Sequence, residues 1–191
     1  MLSTFAMQGA ACDLKDIGLA DAGCGEAFSG LGNKVYVFFP EDLKAAPTFD
    51  EKGAAFAEAA FTFAEGKGAN VIKIKKQSGH LSSTGNAGAK GWNVTLEFVI
   101  DKDLDNAAHI LRILKNRGDA VWMVECPDGT GYYVVYDPVF GTEVNSNFDS
   151  GTTPDSDNGH TVTVTCNPCR YSTIKWNGTL TLKSSLPVEE P

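Results

Sequence analysis

"WNVTLEFVID", residues 92–101, decides the fold. Trp92, Val94, Leu96, Phe98 and Ile100 alternate with Asn93, Thr95, Glu97 and Asp101. Strand side chains point alternately to opposite faces, so this period of two marks a strand with one dry side and one wet side. Immediately after it, "DLDNAAHILRILKNRGD" changes period. Ala107, Ile110, Leu111 and Leu114 recur at helical spacing, with Asp103 or Asp105 as cap and basic residues before Gly118, which predicts one helix over about residues 104–117. His109, between the expected core positions Ala108 and Ile110, reads as a packed or boundary residue.

The remaining segments mostly read as β-structure. "KVYVFF" opens a β-rich region ended by Pro40, and "AFTFAEGKGANVIKIKKQ" reads as two strands about a glycine-rich turn. "AVWMVEC", the turn "PDGTG" and "YYVVYD" form a hairpin. A Gly/Ser/Asp-rich link over residues 141–159 leads to "HTVTVTC" and "TIKWNGTLTLK". The pattern predicts a mainly β protein, a barrel or sandwich with one packed helix. Residues 1–33 form an arm or irregular lead-in, 34–183 a single domain with an extended loop over 40–60, and 184–191 a polar tail.

With 191 residues, 42% of them hydrophobic, the chain can bury its own core as one domain. A formal net charge of −8 argues against a nucleic-acid-gripping surface, which needs clustered cations. The clusters "KIKK" and "LKNRG" therefore read as a solvated strand face and a helix end with dipole-matched charge. No apolar run approaches the roughly 20 residues that span a bilayer, and no basic segment precedes the short apolar start, so neither membrane insertion nor export is expected. The odd number of cysteines, scattered through the chain, predicts free thiols rather than a disulfide framework.

Three motifs invite chemistry. Placing Gly159 at the sixth position of a calcium loop puts Pro154 first and Thr165 twelfth, where acidic ligands are required, so "DSDNG" reads as a turn. "CNPC" supplies Cys166 and Cys169, two metal-ligand candidates where a structural zinc site needs four, and it reads as a strand-to-strand turn. No nucleophile elbow or phosphate loop is present. The expectation is a protein without catalytic residues or cofactor.

Taken in order, "KVYVFFPEDL", "VIKIKKQSGHLSSTG", "GWNVTLEFVID", "NAAHILRILKNRGDAVWMVECPDGTGYYVV" and "SGTTPDSDNGHTVTVT" resemble phage tail-tube proteins over residues 23–181, particularly those of Bacteroidetes prophages. The family is related to the tubes of contractile injection systems and type VI secretion. The resemblance implies a structural virion protein made in the host cytoplasm, whose copies close into hexameric rings that stack as a DNA conduit in the virion tail. It also implies tape-measure, tail-terminator and baseplate partners, with DNA passing unbound. Thr95, Glu97 and Asp101 are then the lumen-facing candidates, and Pro40, Glu41, Asp42, Leu43, Pro47 and Phe49 the intersubunit candidates. The competing readings are a carbohydrate- or protein-binding β-sandwich, with Tyr132, Tyr133, Tyr136 and Trp176 as an aromatic platform, and a metal enzyme around "CNPC".

Overall fold

The structure, a computed structural model, describes residues 31–49, 55–88, 90–101, 107–127, 129–150 and 159–183. Two antiparallel sheets pack face to face. The five-stranded sheet has the order β2 (Asn70–Lys73), β1 (Lys34–Phe38), β5 (Val121–Glu125), β6 (Tyr132–Val135), β9 (Ile174–Trp176). The four-stranded sheet has the order β3 (His80–Gly85), β4 (Trp92–Asp101), β8 (Gly159–Cys169), β7 (Glu143–Asp149). Neither closes on itself, so the architecture is an open sandwich rather than a barrel.

Alternation in β4 has the expected consequence. Val94, Leu96, Phe98 and Ile100 are buried, and in the neighbouring β8 Val162, Val164 and Cys166 join them. Val35, Val37, Trp122, Val124 and Val135 face them from the five-stranded sheet. Helix α1 (Ala107–Asn116) adds Ala107, Leu111 and Leu114 to this core and packs beside β7. Ala108 and His109 are exposed, because the buried stripe runs through positions 107, 111 and 114. The proposed caps Asp103 and Asp105 lie outside the described residues, as do Pro154 and the "DSDN" of the expected turn, Cys12 and Cys24, and the tail 184–191.

β5 is buried on both faces, which explains its unbroken apolar run. Its second face belongs to a separate core. Tyr36, Phe38, Met123, Val134 and Trp176 lie under a layer contributed by Leu43, Phe56, Phe61, Phe63 and Leu180. The extended loop after β1 therefore serves as a cover for this second core. It begins with a 3₁₀ turn at Pro40–Asp42, and the backbone N–H of Lys44 and Ala64 donate to Thr62 and Asp42 across it, both at 2.9 Å. "AFTF" forms no strand and contributes only an isolated bridge, Leu43 to Phe63. Its aromatic rings are buried by packing, Phe61 edge-on to Trp176 with centroids 5.2 Å apart.

Three further elements differ from expectation. The link over 141–159 contains β7, and only Val144 of that strand is buried, which leaves no alternation to read. Trp92 is 39% exposed because it stands at the end of β4. "CNPC" lies within β8 rather than in a turn, and the turn to β9 follows it.

Candidate functional site

The outward face of the four-stranded sheet follows from register. His80 of β3 pairs with Glu97 of β4, which pairs with Thr163 of β8, which pairs with Asn145 of β7. The next row is Ser82, Thr95, Thr165 and Glu143. Val99, Thr161 and Asn147 form a third row, and Thr84 and Asn93 extend the face at the far end. Directly opposed residues in an antiparallel ladder share a face, so these rows make one continuous surface of hydroxyls, amides and carboxylates interrupted by His80 and Val99. None of the described residues of β3, β4, β7 and β8 is Lys or Arg, whereas Glu97, Glu143 and Asp149 stand on this face; Lys75 borders it, its N–H donating to the Val99 carbonyl at 2.8 Å.

Of the lumen-facing candidates, Thr95 is half-buried between its neighbours, its hydroxyl 3.5 Å from Asn93 Oδ1, and Glu97 is exposed. Asp101 holds the last pairing position of β4, opposite Gly159. The strands β3 and β7 are the free edges of this sheet. The hydroxyl rows come from the Thr of "HTVTVT", which alternate with its valines; that signal was visible in the sequence. The contribution of β7 was not, because "EVNSNFD" resembles a loop in composition.

The intersubunit candidates are drawn largely into the chain's own fold. Leu43 is buried, and Phe49 stacks on Phe56 at 4.6 Å and against Tyr171 at 4.4 Å. Glu41 accepts from Arg117 at 2.9 Å and Asp42 pairs with Lys67 at 3.0 Å. Pro40 and Pro47 are half-buried. Arg117 also chelates Asp119 and lies 3.9 Å over the Phe39 ring, which holds the Asp119 carboxyl below its ordinary range. The exposed large apolar residues of the described chain lie elsewhere: Val71 and Ile113 beside a groove of about 520 Å³ between β2 and α1, Val139 and Phe140 in the turn before β7, Phe148 in β7 and Trp92 at the end of β4.

That turn is held by Asp137, a fully buried carboxylate. One oxygen accepts the N–H groups of Val139 (2.9 Å) and Phe140 (3.2 Å); the other accepts the N–H (3.0 Å) and Nε (3.2 Å) of Arg170. Burial alone would raise this carboxyl, but the four donors outweigh it and hold it below the usual range.

The aromatic platform does not form. Trp176 is 1% exposed, its indole N–H donating to the carbonyls of Ala57 and Glu58, and Tyr136 is buried as well. Tyr132 and Tyr133 are only partly exposed. Cys166 and Cys169 are brought together, but the described residues contain no group of three or more His, Cys, Asp or Glu arranged to hold a metal ion. No helix among the described residues is long and apolar enough to cross a membrane.

Fold and surface together define, among the described residues, an antiparallel two-sheet β-sandwich with one helix and a polar sheet face whose strands carry no Lys or Arg. Compared with protein-family models, characterised proteins and solved structures, the chain matches none.

Proposed function

We propose that this chain is a structural subunit that assembles into stacked rings, with the outward face of the four-stranded sheet lining the bore, as in a phage tail tube. The observation that carries the reading is the charge segregation of that face. The chain has 16 Lys and Arg residues, yet none of the described ones stands on β3, β4, β8 or β7 outward positions. Binding to DNA draws its strength from cations that displace phosphate counterions. A face of hydroxyls and carboxylates lets a polyanion slide past instead.

The open edges β3 and β7 supply the means of closure. Pairing β3 of one copy with β7 of the next is a head-to-tail contact, which closes into a ring when the rotation permits. Six such four-stranded sheets, at about 4.8 Å per strand, give a ring of roughly 115 Å circumference and about 37 Å across. That bore admits a double helix. The exposed apolar residues Val71, Ile113, Val139 and Phe140 are available for contacts between copies or rings.

In this reading the partners are further copies of the chain together with tape-measure, terminator and baseplate proteins. DNA is cargo rather than ligand, and the chain needs no catalytic group or cofactor. Negative-stain microscopy and sedimentation over rising protein concentration test it. Rings or tubes are expected, and a species that stays monomeric under all assembly conditions contradicts it.

A further inference from the structure

Residues three apart in an unbroken strand face opposite sides of the sheet. Cys166 and Cys169 both face inward. Val94 pairs with Cys166 and Trp92 with Cys169, so Asn93 alone stands opposite both Asn167 and Pro168. The extra residue is a β-bulge that resets the alternation. It leaves Asn167 and Pro168 exposed and both cysteines buried, with their thiols hydrogen-bonded to each other.

The position is as informative as the contact. Cys169 is the last residue of β8, and residues 170–173 carry the chain from the four-stranded sheet to β9 in the five-stranded one. The first residue of this crossover, Arg170, is anchored to Asp137 by its backbone and its guanidinium. The paired sulfurs thus sit where the two sheets are joined.

We propose that Cys166 and Cys169 form a dithiol site that a small peroxide oxidises to an intrachain disulfide, closing the bulge covalently at the crossover between the sheets. The site is independent of ring assembly. Burial of both sulfurs excludes bulky oxidants and leaves a molecule of peroxide size as the reagent.

Cys169 is the attacking sulfur. The Cys166 S–H donates to it, and the Tyr171 N–H and the Arg170 charge also favour its ionisation; burial and the Asp137 carboxylate oppose it, and its thiol is brought down to about 7. Cys166 is held up by its role as donor and by burial, and so remains protonated. The Cys169 thiolate attacks one peroxide oxygen, the O–O bond breaks, and the departing hydroxide takes a proton to leave as water, giving a sulfenic acid. Cys166 sulfur then attacks the Cys169 sulfur; the S–O bond breaks, and the released hydroxide leaves as water with the Cys166 proton. Two thiols are oxidised, one peroxide is reduced, and two waters are formed.

The test is peptide mapping of the full chain after hydrogen peroxide treatment under native conditions, followed by alkylation in denaturant. Cleavage before Asp157 yields a peptide with Cys166 and Cys169 and none of the other cysteines. The expected peptide is unalkylated and two hydrogens lighter than the dithiol form, and dithiothreitol restores both alkylation sites. Its rate of formation rises about tenfold between roughly pH 6 and pH 8. In Cys166→Ser, oxidation stops at a dimedone-reactive sulfenic acid on Cys169. A doubly alkylated peptide, a link from either cysteine to Cys126, or sulfonic acids without a disulfide overturns the proposal. The wild-type map decides the matter even where the variant fails to fold.

Discussion

Replacing Asp137 by Asn tests whether the buried carboxylate holds the turn before β7 to the crossover after β8. Asn keeps one acceptor oxygen, which can serve the Val139 and Phe140 N–H groups. Its amide nitrogen then faces the Arg170 N–H and Nε, placing donor against donor. Two charge-assisted bonds are lost, each worth roughly 1.5–3 kcal/mol. The Arg170 side chain is 43% exposed and regains water, so only its backbone N–H is stranded. The net cost is roughly 2–3 kcal/mol. With a urea dependence of about 2 kcal/mol per molar, the unfolding midpoint falls by about 1–1.5 M at neutral pH.

The pH dependence separates charge from shape. The folded Asp137 carboxyl lies below its unfolded value, which is near 3.9. Its contribution is therefore complete above the unfolded value and disappears as pH falls through the folded one. Urea unfolding followed by tryptophan fluorescence, in dilute protein to exclude assembly, gives the comparison. The wild-type advantage shrinks in strong acid. An unchanged midpoint at neutral pH, or a gap equally wide in acid, refutes the reasoning.

Three other variants separate the fold from the face. Trp176→Ala removes a fully buried indole and its bonds to Ala57 and Glu58, and costs roughly 3–5 kcal/mol by urea unfolding. Trp92→Ala, at an exposed strand end, costs under about 1 kcal/mol by the same assay. Thr95→Lys with Thr163→Lys puts cations on the polar face and, at two half-buried positions of central strands, costs about 1–2 kcal/mol. In a gel-shift assay the double variant retards DNA at low salt and releases it as salt rises, whereas the parent chain does neither.

How much was legible can be traced residue by residue. β4 and the first part of β8 announce themselves because each has one wet and one dry side. The mainly β class follows from them and the single helix from the spacing of Ala107, Leu111 and Leu114, whereas the choice of an open sandwich over a barrel comes from strand pairing. β7 is silent because Val144 is its only buried residue. Trp176 misleads for the opposite reason. It lies in a strand buried on the face that a sandwich would expose, because Phe56 and Phe61, from distant sequence, and the nearby Leu180 cover it. The aromatic residues of the 55–63 segment carry a burial signal but no period, so composition suggests strands where packing makes a cover. The pairing of Cys166 with Cys169 depends on a bulge against Asn93, and register of that kind is a property of two strands.

The outward face was legible in half. Thr161, Thr163 and Thr165 and the polar side of β4 are visible as alternation, but their continuity with β3 and β7 comes from pairing alone. The intersubunit candidates show the same limit. Leu43 and Phe49 look available for a neighbour, yet Phe63, Phe56 and Tyr171 already occupy them.

Electron cryomicroscopy of the assembled particle, at a resolution that shows side chains, tests the central claim most directly. The account predicts rings in which Glu97, Thr163 and Asn145 face the bore and β3 of each copy lies beside β7 of the next. Rings with that face turned outward, or no rings at all, would contradict it.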